Sequence, residues 1–372
     1  MTKPLGLYIH IPFCEKKCNY CDFYSVCPDK LVRQGYIRRL CEEIEKWGAL
    51  AARPIDTLYI GGGTPSLLTP EELEKVFSAV KKSFVLADDA EITCEVNPAD
   101  NISRFLSAAK GLGVNRISIG MQSADDGELK VLGRRHSFAD AVNTIKIARS
   151  IGFHNISADL MLGLPDSSTD TLQKSIDAVL NLKVEHISAY MLKIEEGTPF
   201  SAVPLNIPSD DGVADQYLQL CKSLNKHGFS HYEISNFAKD GFESRHNNKY
   251  WLCEEYIGIG PSAHSFFGGK RFFYERDLNF FIENPTVIDD GDGGNSEEFI
   301  MLSLRLKRGL VFSELKDRFG ITFGGRAMSL IKKLEKSGLC KVADASVSLT
   351  DEGMLVSNSV INNILGVLYE NL

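Results

Sequence analysis

The sequence has no long hydrophobic run. None of its apolar stretches approaches the roughly 18 residues that a membrane-spanning helix needs. The first ten residues, MTKPLGLYIH, also lack the charged-then-apolar pattern of a secretion signal. These absences argue against an integral membrane protein and predict a cytoplasmic one. They leave peripheral contact with a membrane open.

The sequence also lacks an excess of basic residues and a framework of paired cysteines. Its net charge of −8 and its pI near 5.6 disfavour nucleic acid as a partner. Nine cysteines, an odd number in a long chain, argue against disulfide bonds. Six are scattered, Cys27 among them, and are expected to be inert thiols or small buried side chains. The other three fall within eight residues.

Short apolar runs, each followed by helical periodicity, recur along the first half of the chain. At 372 residues and 44% hydrophobic content, the chain can bury a sizeable core. Strands that alternate with helices are typical of βα units, so the pattern predicts an α/β fold with a parallel sheet. The predicted strands are residues 7–10, 57–60, 91–95, 116–120, 155–160 and 186–191.

Unusual residues lie at or just beyond the carboxyl ends of these strands. They are found at residues 61–64 (GGGT), 95–98 (EVNP), 121–122 (MQ) and 163–165 (GLP). In parallel α/β folds, ligands bind at that edge. Periodicity alone does not separate an open sheet from a barrel, but this placement favours a partial (β/α)6 barrel.

The rest of the chain predicts two further regions after a barrel over residues 1–198. Residues 199–295 are aromatic-rich and interrupted by glycine and proline, with a loop or linker over 289–295, and are expected to be an irregular extension. Residues 296–372 combine three helical patterns with two short strands and a last helix, which predicts a winged-helix-like α+β domain. With ten basic and nine acidic residues, that domain is expected to act in packing or as a lid rather than in DNA binding.

The three clustered cysteines are spaced C-x3-C-x2-C at Cys14, Cys18 and Cys21. Thiolates are the usual ligands of iron–sulfur clusters, and three on one loop can hold three irons of a [4Fe–4S] cubane. The fourth iron then keeps a position open for another ligand, as catalytic metal sites do. Structural zinc is the rival interpretation, but no second cysteine or histidine pair with suitable spacing follows.

This spacing, with the aromatic Tyr20 before the last cysteine, resembles the signature of the radical SAM superfamily. The flanking residues 8–14 (YIHIPFC) and 19–23 (NYCDF) resemble the oxygen-independent coproporphyrinogen III oxidase family and its heme chaperone branch, HemW. The resemblance covers nearly the whole chain. It implies that S-adenosylmethionine (SAM) chelates the open iron through its amino and carboxylate groups. In that family an electron from the cluster then cleaves the sulfonium.

The same resemblance assigns residues to SAM. The glycine turn lies near the methionine amino group in this family, and a guanidinium such as that of Arg134 can pair with a carboxylate in bidentate fashion. The positions that match SAM-contacting residues are Tyr8, Gly62, Gly63, Thr64, Glu95, Gln122, Arg134 and Asp159.

Two departures from the oxidase pattern favour the heme chaperone branch. Phe23 stands where the oxidase has a further cysteine. Residues 246–251 (HNNKYW) match an H-N-x-x-Y-W motif that is linked to heme binding in that branch. His246 is therefore a candidate heme ligand, with Tyr250 and Trp251 as porphyrin-packing residues and His264 as a lesser candidate. A hydrogen-bonded loop histidine is the alternative for His246.

The resulting hypothesis is a heme chaperone that binds a [4Fe–4S] cluster, SAM and heme, and delivers heme to apo-haemoproteins of respiration. The alternative is an oxygen-independent coproporphyrinogen III dehydrogenase, or another radical SAM oxidoreductase that acts on a tetrapyrrole. Phe23 argues against the dehydrogenase. A nucleic-acid regulator acting through the last domain is a third possibility, which the charge count disfavours.

Overall fold

All six predicted strands form, and each contains the predicted run. A computed structural model describes residues 3–98, 102–343 and 345–369. The strands are β1 (Leu5–Ile11), β2 (Ile55–Gly62), β3 (Leu86–Val96), β4 (Arg116–Gln122), β5 (Asn155–Leu162) and β6 (His186–Met191). They pair in this order, all parallel, which confirms the predicted α/β fold built from βα units.

Helices connect consecutive strands, as a parallel sheet requires. Three of them begin with a capping box, at Thr69 with Glu72, at Ser137 with Asp140 and at Ser168 with Thr171, so side chains satisfy amides that the first turn leaves free. The helices are α1 (Lys30–Ala51), α2 (Pro70–Ser83), α3 (Ile102–Leu112), α4 (Asp126–Val131), α5 (Phe138–Ile151) and α6 (Thr169–Asn181).

Side chains alternate along β1–β6 between an apolar and a polar face. One face carries residues such as Ile9, Ile60 and Ile119, which are fully buried in the hydrophobic core. The other face carries polar side chains that bond to one another across strands. The inside of the partial barrel, called the lumen below, is therefore polar. Its side chains include Tyr8, His10, Thr57, Tyr59, Glu95, Arg116, Ser118, Ser157, Asp159, His186 and Ser188.

The region after residue 198 is more regular than the sequence predicted. Strand β9 (Tyr256–Ile259) pairs parallel with β1, whereas β8 (Asn236–Ala238) pairs antiparallel with β6, so the sheet grows at both edges. These strands have three to six residues, too few to produce a clear alternation. The elements are α7 (Asp210–Lys226), β7 (Ser230–Glu233), β8 (Asn236–Ala238), α8 (Arg245–Trp251), β9 (Tyr256–Ile259), β10 (His264–Phe267), β11 (Lys270–Tyr274), α9 (Leu278–Glu283) and β12 (Val287–Asp292).

Strand β12 corrects the loop predicted over residues 289–295. It pairs antiparallel with β11 at the edge of the sheet, and all six of its residues are exposed. Backbone hydrogen bonds hold this strand although neither face is buried, so no apolar pattern could reveal it. Only residues 293–295 remain outside the strand and the helix that follows.

The last region has the element order of a winged helix. Strands β13 (Leu310–Val311), β15 (Ser346–Leu349) and β14 (Cys340–Ala343) form a small antiparallel sheet beside the helices, in that order. The elements are α10 (Ser296–Ser303), β13 (Leu310–Val311), α11 (Phe312–Phe319), α12 (Gly325–Lys336), β14 (Cys340–Ala343), β15 (Ser346–Leu349), α13 (Asp351–Leu355) and α14 (Ser357–Tyr369). Among the helices of the described ranges, none has both the length and the apolar character needed to cross a membrane.

The last region also continues the main sheet at its β7 edge. The amide of Ile234 donates to the carbonyl of Arg305, and the amide of Lys307 donates to the carbonyl of Tyr232. Residues 305–307 thus run antiparallel beside β7 and cover that edge.

Candidate iron–sulfur and cofactor site

The three clustered cysteines lie on the loop that joins β1 to α1, at the carboxyl end of the barrel strands. Cys14, Cys18 and Cys21 are each partly exposed. One bond within the loop, from the Cys14 amide to the Val26 carbonyl, and one to the rest of the chain, from the Asn19 amide to the Leu132 carbonyl, hold the loop in place. Burial raises the pKa of the Cys21 thiol to about 11, so a metal that binds there must displace a proton.

Arg134 connects this loop to the ends of β3 and β4. Its Nη2 donates to Asn97 Oδ1 and to the carbonyl of Gly120, both at 2.8 Å. Its Nη1 lies 3.6 Å from Cys18 Sγ. One guanidinium therefore holds the cysteine loop against two strand ends.

Thr64 closes the other side of the same network. Asn97 Nδ2 donates to Thr64 Oγ1 at 2.9 Å, and Thr64 Oγ1 lies 3.4 Å from Cys14 Sγ. A cavity of about 80 Å³, lined in part by Cys18, Thr64 and Asn97, opens between these groups.

The glycine turn holds the carboxylate of Glu95. The Gly62 amide and the Tyr59 hydroxyl donate to its two oxygens, at 3.0 and 2.8 Å. Gly62 has a φ of +111°, and a Cβ there would lie 2.4 Å from the ring of His10. A Cβ on Gly61 would meet the Glu95 carboxyl at 2.9 Å. Glycine is thus required for this carboxylate to lie against the backbone.

The remaining SAM candidates lie around the same end of the lumen. Tyr8 bonds to His10 through its hydroxyl at 2.9 Å, and Asp159 accepts from Ser118 at 3.1 Å. Gln122 lies at the end of β4 with a φ of +70°, a left-handed conformation that is uncommon for a non-glycine residue. Tyr20 packs against a small apolar cluster formed by Leu132, Met161, Leu164 and Phe200.

The donors at this end fit the two implied groups. Three thiols on one loop match the ligand set of a cubane with an open iron. The buried Nε of Arg134 has no hydrogen-bond partner among the described residues, so it can receive a carboxylate. The glycine turn leaves backbone exposed to a ligand, and Glu95 provides an acceptor for an ammonium group or a ribose hydroxyl.

His246 lies apart from this site, on α8 near the amino ends of the strands. It is almost completely buried, with Nδ1 at 2.9 Å from Thr57 Oγ1 and Nε2 at 2.7 Å from Tyr250 Oη. Burial lowers its pKa to about 3, so the imidazole is neutral. Both ring nitrogens are engaged, so this conformation does not offer either one to a heme iron. This geometry is that of the alternative given for His246 above, a histidine whose side chain is hydrogen-bonded within the protein.

Helix α8 closes the lumen at that end. The Glu91 carboxylate accepts from the amides of Arg245 and His246, both at 3.0 Å, and Lys249 pairs with Asp56 at 2.8 Å. Tyr250 packs edge-on against both His246 and Tyr256, and Trp251 ends the helix partly buried. The H-N-x-x-Y-W motif thus forms the floor of the barrel, opposite the cysteine loop. His264 is exposed on β10 and stacks on Phe273.

The sequence interpretation missed two residues that the structure places at or near the site. Asn97 lies just after β3 and bridges Arg134 and Thr64. Its position two residues after Glu95, at the end of a strand, could have identified it as a site residue. Arg116 is 2% exposed within the lumen, where its charge acts on Glu95 and Asp159 and its Nε has no partner among the described residues. Alternation along β4, in which Arg116, Ser118 and Gly120 share a face, would have identified it.

Six parallel strands that end at a loop of three cysteines and a glycine turn define the class of radical SAM proteins. The Radical SAM superfamily matches residues 8–179, and the HemN C-terminal domain matches residues 296–356. Coproporphyrinogen III oxidase (HemN) from Escherichia coli has a similar structure, with a TM-score of 0.82 at 22% identity, over 98% of this chain and 90% of that one. At that identity the similarity shows the fold.

Individual relatives narrow the assignment to one branch. The chain is 36% identical to the heme chaperone HemW of Bacillus subtilis, over 97% of this chain and 99% of the relative. It is 40% identical to HemW of Escherichia coli over 70% of each chain. It is also 34% identical to the mitochondrial radical S-adenosyl methionine domain-containing protein 1 of Bos taurus, over 98% of this chain and 88% of the relative. The chain belongs to the HemW branch of the oxygen-independent coproporphyrinogen III oxidase-like family.

The ionisation of Glu95 predicts a pH dependence of stability. Burial raises the pKa of Glu95 to about 7 from its ordinary value of 4.5. The folded chain keeps this proton to higher pH than the unfolded chain, so this carboxyl lowers the free energy of unfolding as pH rises from about 4.5 to 7. We expect the stability of Glu95→Gln, relative to wild type, to increase across that range in denaturant titrations. The variant Glu74→Gln, at an exposed position on α2, controls for the loss of a carboxylate. If the free energy of unfolding of Glu95→Gln and of wild type changed with pH in parallel, the raised pKa of Glu95 would be contradicted.

The floor role of His246 predicts a large stability effect. His246→Ala leaves Thr57 and Tyr250 without their buried partner and opens a cavity, so the free energy of unfolding should fall by about 2 to 4 kcal/mol. The exposed His264→Ala is the matched control and should cost less than about 1 kcal/mol. Unchanged stability in His246→Ala, measured by denaturant titration, would contradict a structural role.

Proposed function

We propose that this protein is a heme chaperone that binds a [4Fe–4S] cluster, SAM and heme, and delivers heme to apo-haemoproteins of respiration. The nearly full-length similarity to proteins named heme chaperone HemW carries the proposal. The cysteine loop, with its network of Arg134, Asn97 and Thr64, supports the part that concerns the cluster and SAM.

In this proposal Cys14, Cys18 and Cys21 each hold one iron, and the fourth iron is left to SAM. Arg134 receives the SAM carboxylate through its free Nε, and Glu95 accepts from its amino group or ribose. When bound, the reduced cluster supplies an electron to the sulfonium. The remaining positions proposed to line the SAM pocket are Tyr8, Tyr20, Gly62, Gly63, Thr64, Gln122 and Asp159.

Phe23 favours heme handling over porphyrinogen oxidation. Its side chain is 68% exposed and stands two residues after Cys21, where the resemblance places a further cysteine in the oxidase. A thiol at that position is absent here, whereas an exposed aromatic ring next to the cluster loop suits contact with a planar molecule.

The setting of the protein is part of the same proposal. We place it in the cytoplasm, with peripheral contact to the membrane where respiratory haemoproteins assemble, and without a nucleic-acid partner. The division into a barrel (1–198), an extension that contains the floor motif (199–295) and a winged-helix-like domain (296–372) remains a prediction. The last domain serves in packing or as a lid rather than in DNA binding, because its basic and acidic residues nearly balance.

Cluster ligation can be tested by single substitutions in the loop. After anaerobic reconstitution, wild type should bind about four irons per chain and show the broad visible absorption of a [4Fe–4S] cluster. Cys14→Ser, Cys18→Ser and Cys21→Ser should each lose most of that iron and absorption. The exposed Cys27→Ser is the matched control and should behave as wild type. Full cluster content in any of the three variants would remove that cysteine from the ligand set.

Heme binding and porphyrinogen turnover separate the two candidate functions. The reconstituted protein should bind about one heme per chain in an optical titration and should not convert coproporphyrinogen III to protoporphyrinogen in the presence of SAM and a reductant. A Phe23→Cys variant tests whether the missing thiol alone accounts for the lack of turnover. Turnover by wild type at a rate useful to a cell would contradict the chaperone proposal and favour the dehydrogenase.

A further inference from the structure

Three side chains that can ligate a metal ion meet where the last region of the chain joins the extension of the barrel. They are Cys221 on α7, His231 on β7 and Asp351, the first residue of α13. One ligand atom from each residue lies within 4.8 Å of the ligand atoms of the other two. We call these three residues the junction triad.

The spacing of the junction triad suits a tetrahedral metal ion. Zinc bonds nitrogen and oxygen at about 2.0 to 2.2 Å and sulfur at about 2.3 Å, so its tetrahedral ligand atoms lie about 3.3 to 3.8 Å apart. His231 Nδ1 is 3.1 Å from Asp351 Oδ1, and the side chain of Asp351 is partly exposed, so it has room to adjust. Small side-chain rotations therefore bring the triad to the separations that zinc requires.

The imidazole of His231 is held with Nδ1 directed at the triad. Its ring stacks on Phe237, with the ring centroids 4.3 Å apart. Its Nε2 lies 3.4 Å from the hydroxyl of Tyr217, which donates to the carbonyl of Ile234 at 3.3 Å. A histidine that ligates a metal usually donates its other N–H to a fixed acceptor, and the Tyr217 oxygen can be that acceptor. With its proton on Nε2, His231 offers the Nδ1 lone pair to a metal.

Cys221 determines which metal the triad prefers. Its side chain is 3% exposed, and burial raises the pKa of its thiol to about 12, so a metal that binds there must displace a proton. A thiolate combined with an imidazole favours zinc over magnesium and calcium, which prefer oxygen ligands. One thiolate and one carboxylate also balance the two charges of the zinc ion, so no net charge is buried.

A cation of the protein already contacts the carboxylate of the triad. Lys307 Nζ donates to Asp351 Oδ1 at 2.5 Å. The lysine side chain is 36% exposed, so its ammonium group can move into solvent when a metal takes its place. Asp351 therefore meets positive charge with or without a metal, and Lys307 competes with the metal for it.

We propose that Cys221, His231 and Asp351 bind a zinc ion, with water as the fourth ligand. The zinc ion holds α13 against α7 and β7 and so fixes the last region of the chain on the extension. Residues 305–307 already run beside β7, and the zinc ion adds a second attachment next to this one. This site goes beyond the proposed function and does not depend on it.

The first test measures zinc binding by the full-length protein with its iron–sulfur cluster reconstituted, because an empty cysteine loop would itself bind zinc. The dissociation constant should be about 1 μM or below, with about one zinc per chain and an unchanged iron content in elemental analysis. Cys221→Ser and His231→Gln should each weaken zinc binding by about a hundredfold or more, since even the outer partners of metal ligands contribute about 10- to 100-fold.

Two matched controls accompany these variants. Cys340→Ser also replaces a buried thiol by a hydroxyl, and Glu352→Gln removes an exposed carboxylate next to Asp351. Both should bind zinc within about twofold of wild type, because neither residue belongs to the triad and exposed charges are screened.

Lys307→Gln separates a zinc site from a network of ion pairs. Removal of the competing ammonium should tighten zinc binding by about twofold to fivefold, which corresponds to the strength of an exposed ion pair. Weaker zinc binding by this variant would contradict a carboxylate that lysine and zinc share.

X-ray absorption at the zinc edge gives a readout on wild type that does not depend on variants. The junction triad predicts one sulfur neighbour at about 2.3 Å and nitrogen or oxygen neighbours at about 2.0 to 2.2 Å. Two or three sulfur neighbours, or a loss of iron that matches the zinc gained, would place the zinc in the cysteine loop and overturn the proposal. Wild type that binds no zinc while its cluster is intact would overturn it as well, as would equal zinc binding by wild type, Cys221→Ser and His231→Gln.

Discussion

The polar side chains inside the barrel must find hydrogen-bond partners because few of them reach bulk water. Unpaired buried polar groups each cost about 1 to 3 kcal/mol. Bonds between neighbouring strands, such as Ser118 to Asp159 and Ser157 to His186, satisfy part of this requirement. Much of the rest is met at the two ends. At the floor, helix α8 supplies hydrogen-bond partners to the polar side chains. At the open end, groups such as Arg134 Nε still lack a partner among the described residues, which a ligand can supply.

This requirement also explains how the two ends differ. At the floor, the side chains of His246 and Tyr250 make their hydrogen bonds within the protein, so they need no ligand to satisfy them. At the mouth, Glu95, Thr64 and Arg134 are held by neighbours yet still have capacity toward a ligand. The same polar lumen thus supports a rigid scaffold at one end and a binding site at the other.

The fold was predictable from the sequence because its helices and central strands are long enough to show their periods. The cysteine loop was predictable for another reason, since three thiols in eight residues have few structural explanations. The edge strands were not predictable, because pairing of backbone groups forms them and side chains contribute little. The position of His246 was also not predictable, because whether a histidine is a ligand or a buried partner depends on contacts with Thr57, 189 residues away along the chain.

An incomplete barrel has two free edges, and each is a template on which another chain could add a strand. Residues 305–307 occupy the edge at β7. The other edge is β12, which exposes Asp289, Asp290 and Asp292 along its length. Repulsion between these carboxylates opposes alignment of two such strands from different molecules. The acidic strand thus allows the sheet to stay open for its ligands without promoting the edge-to-edge association that leads to aggregates.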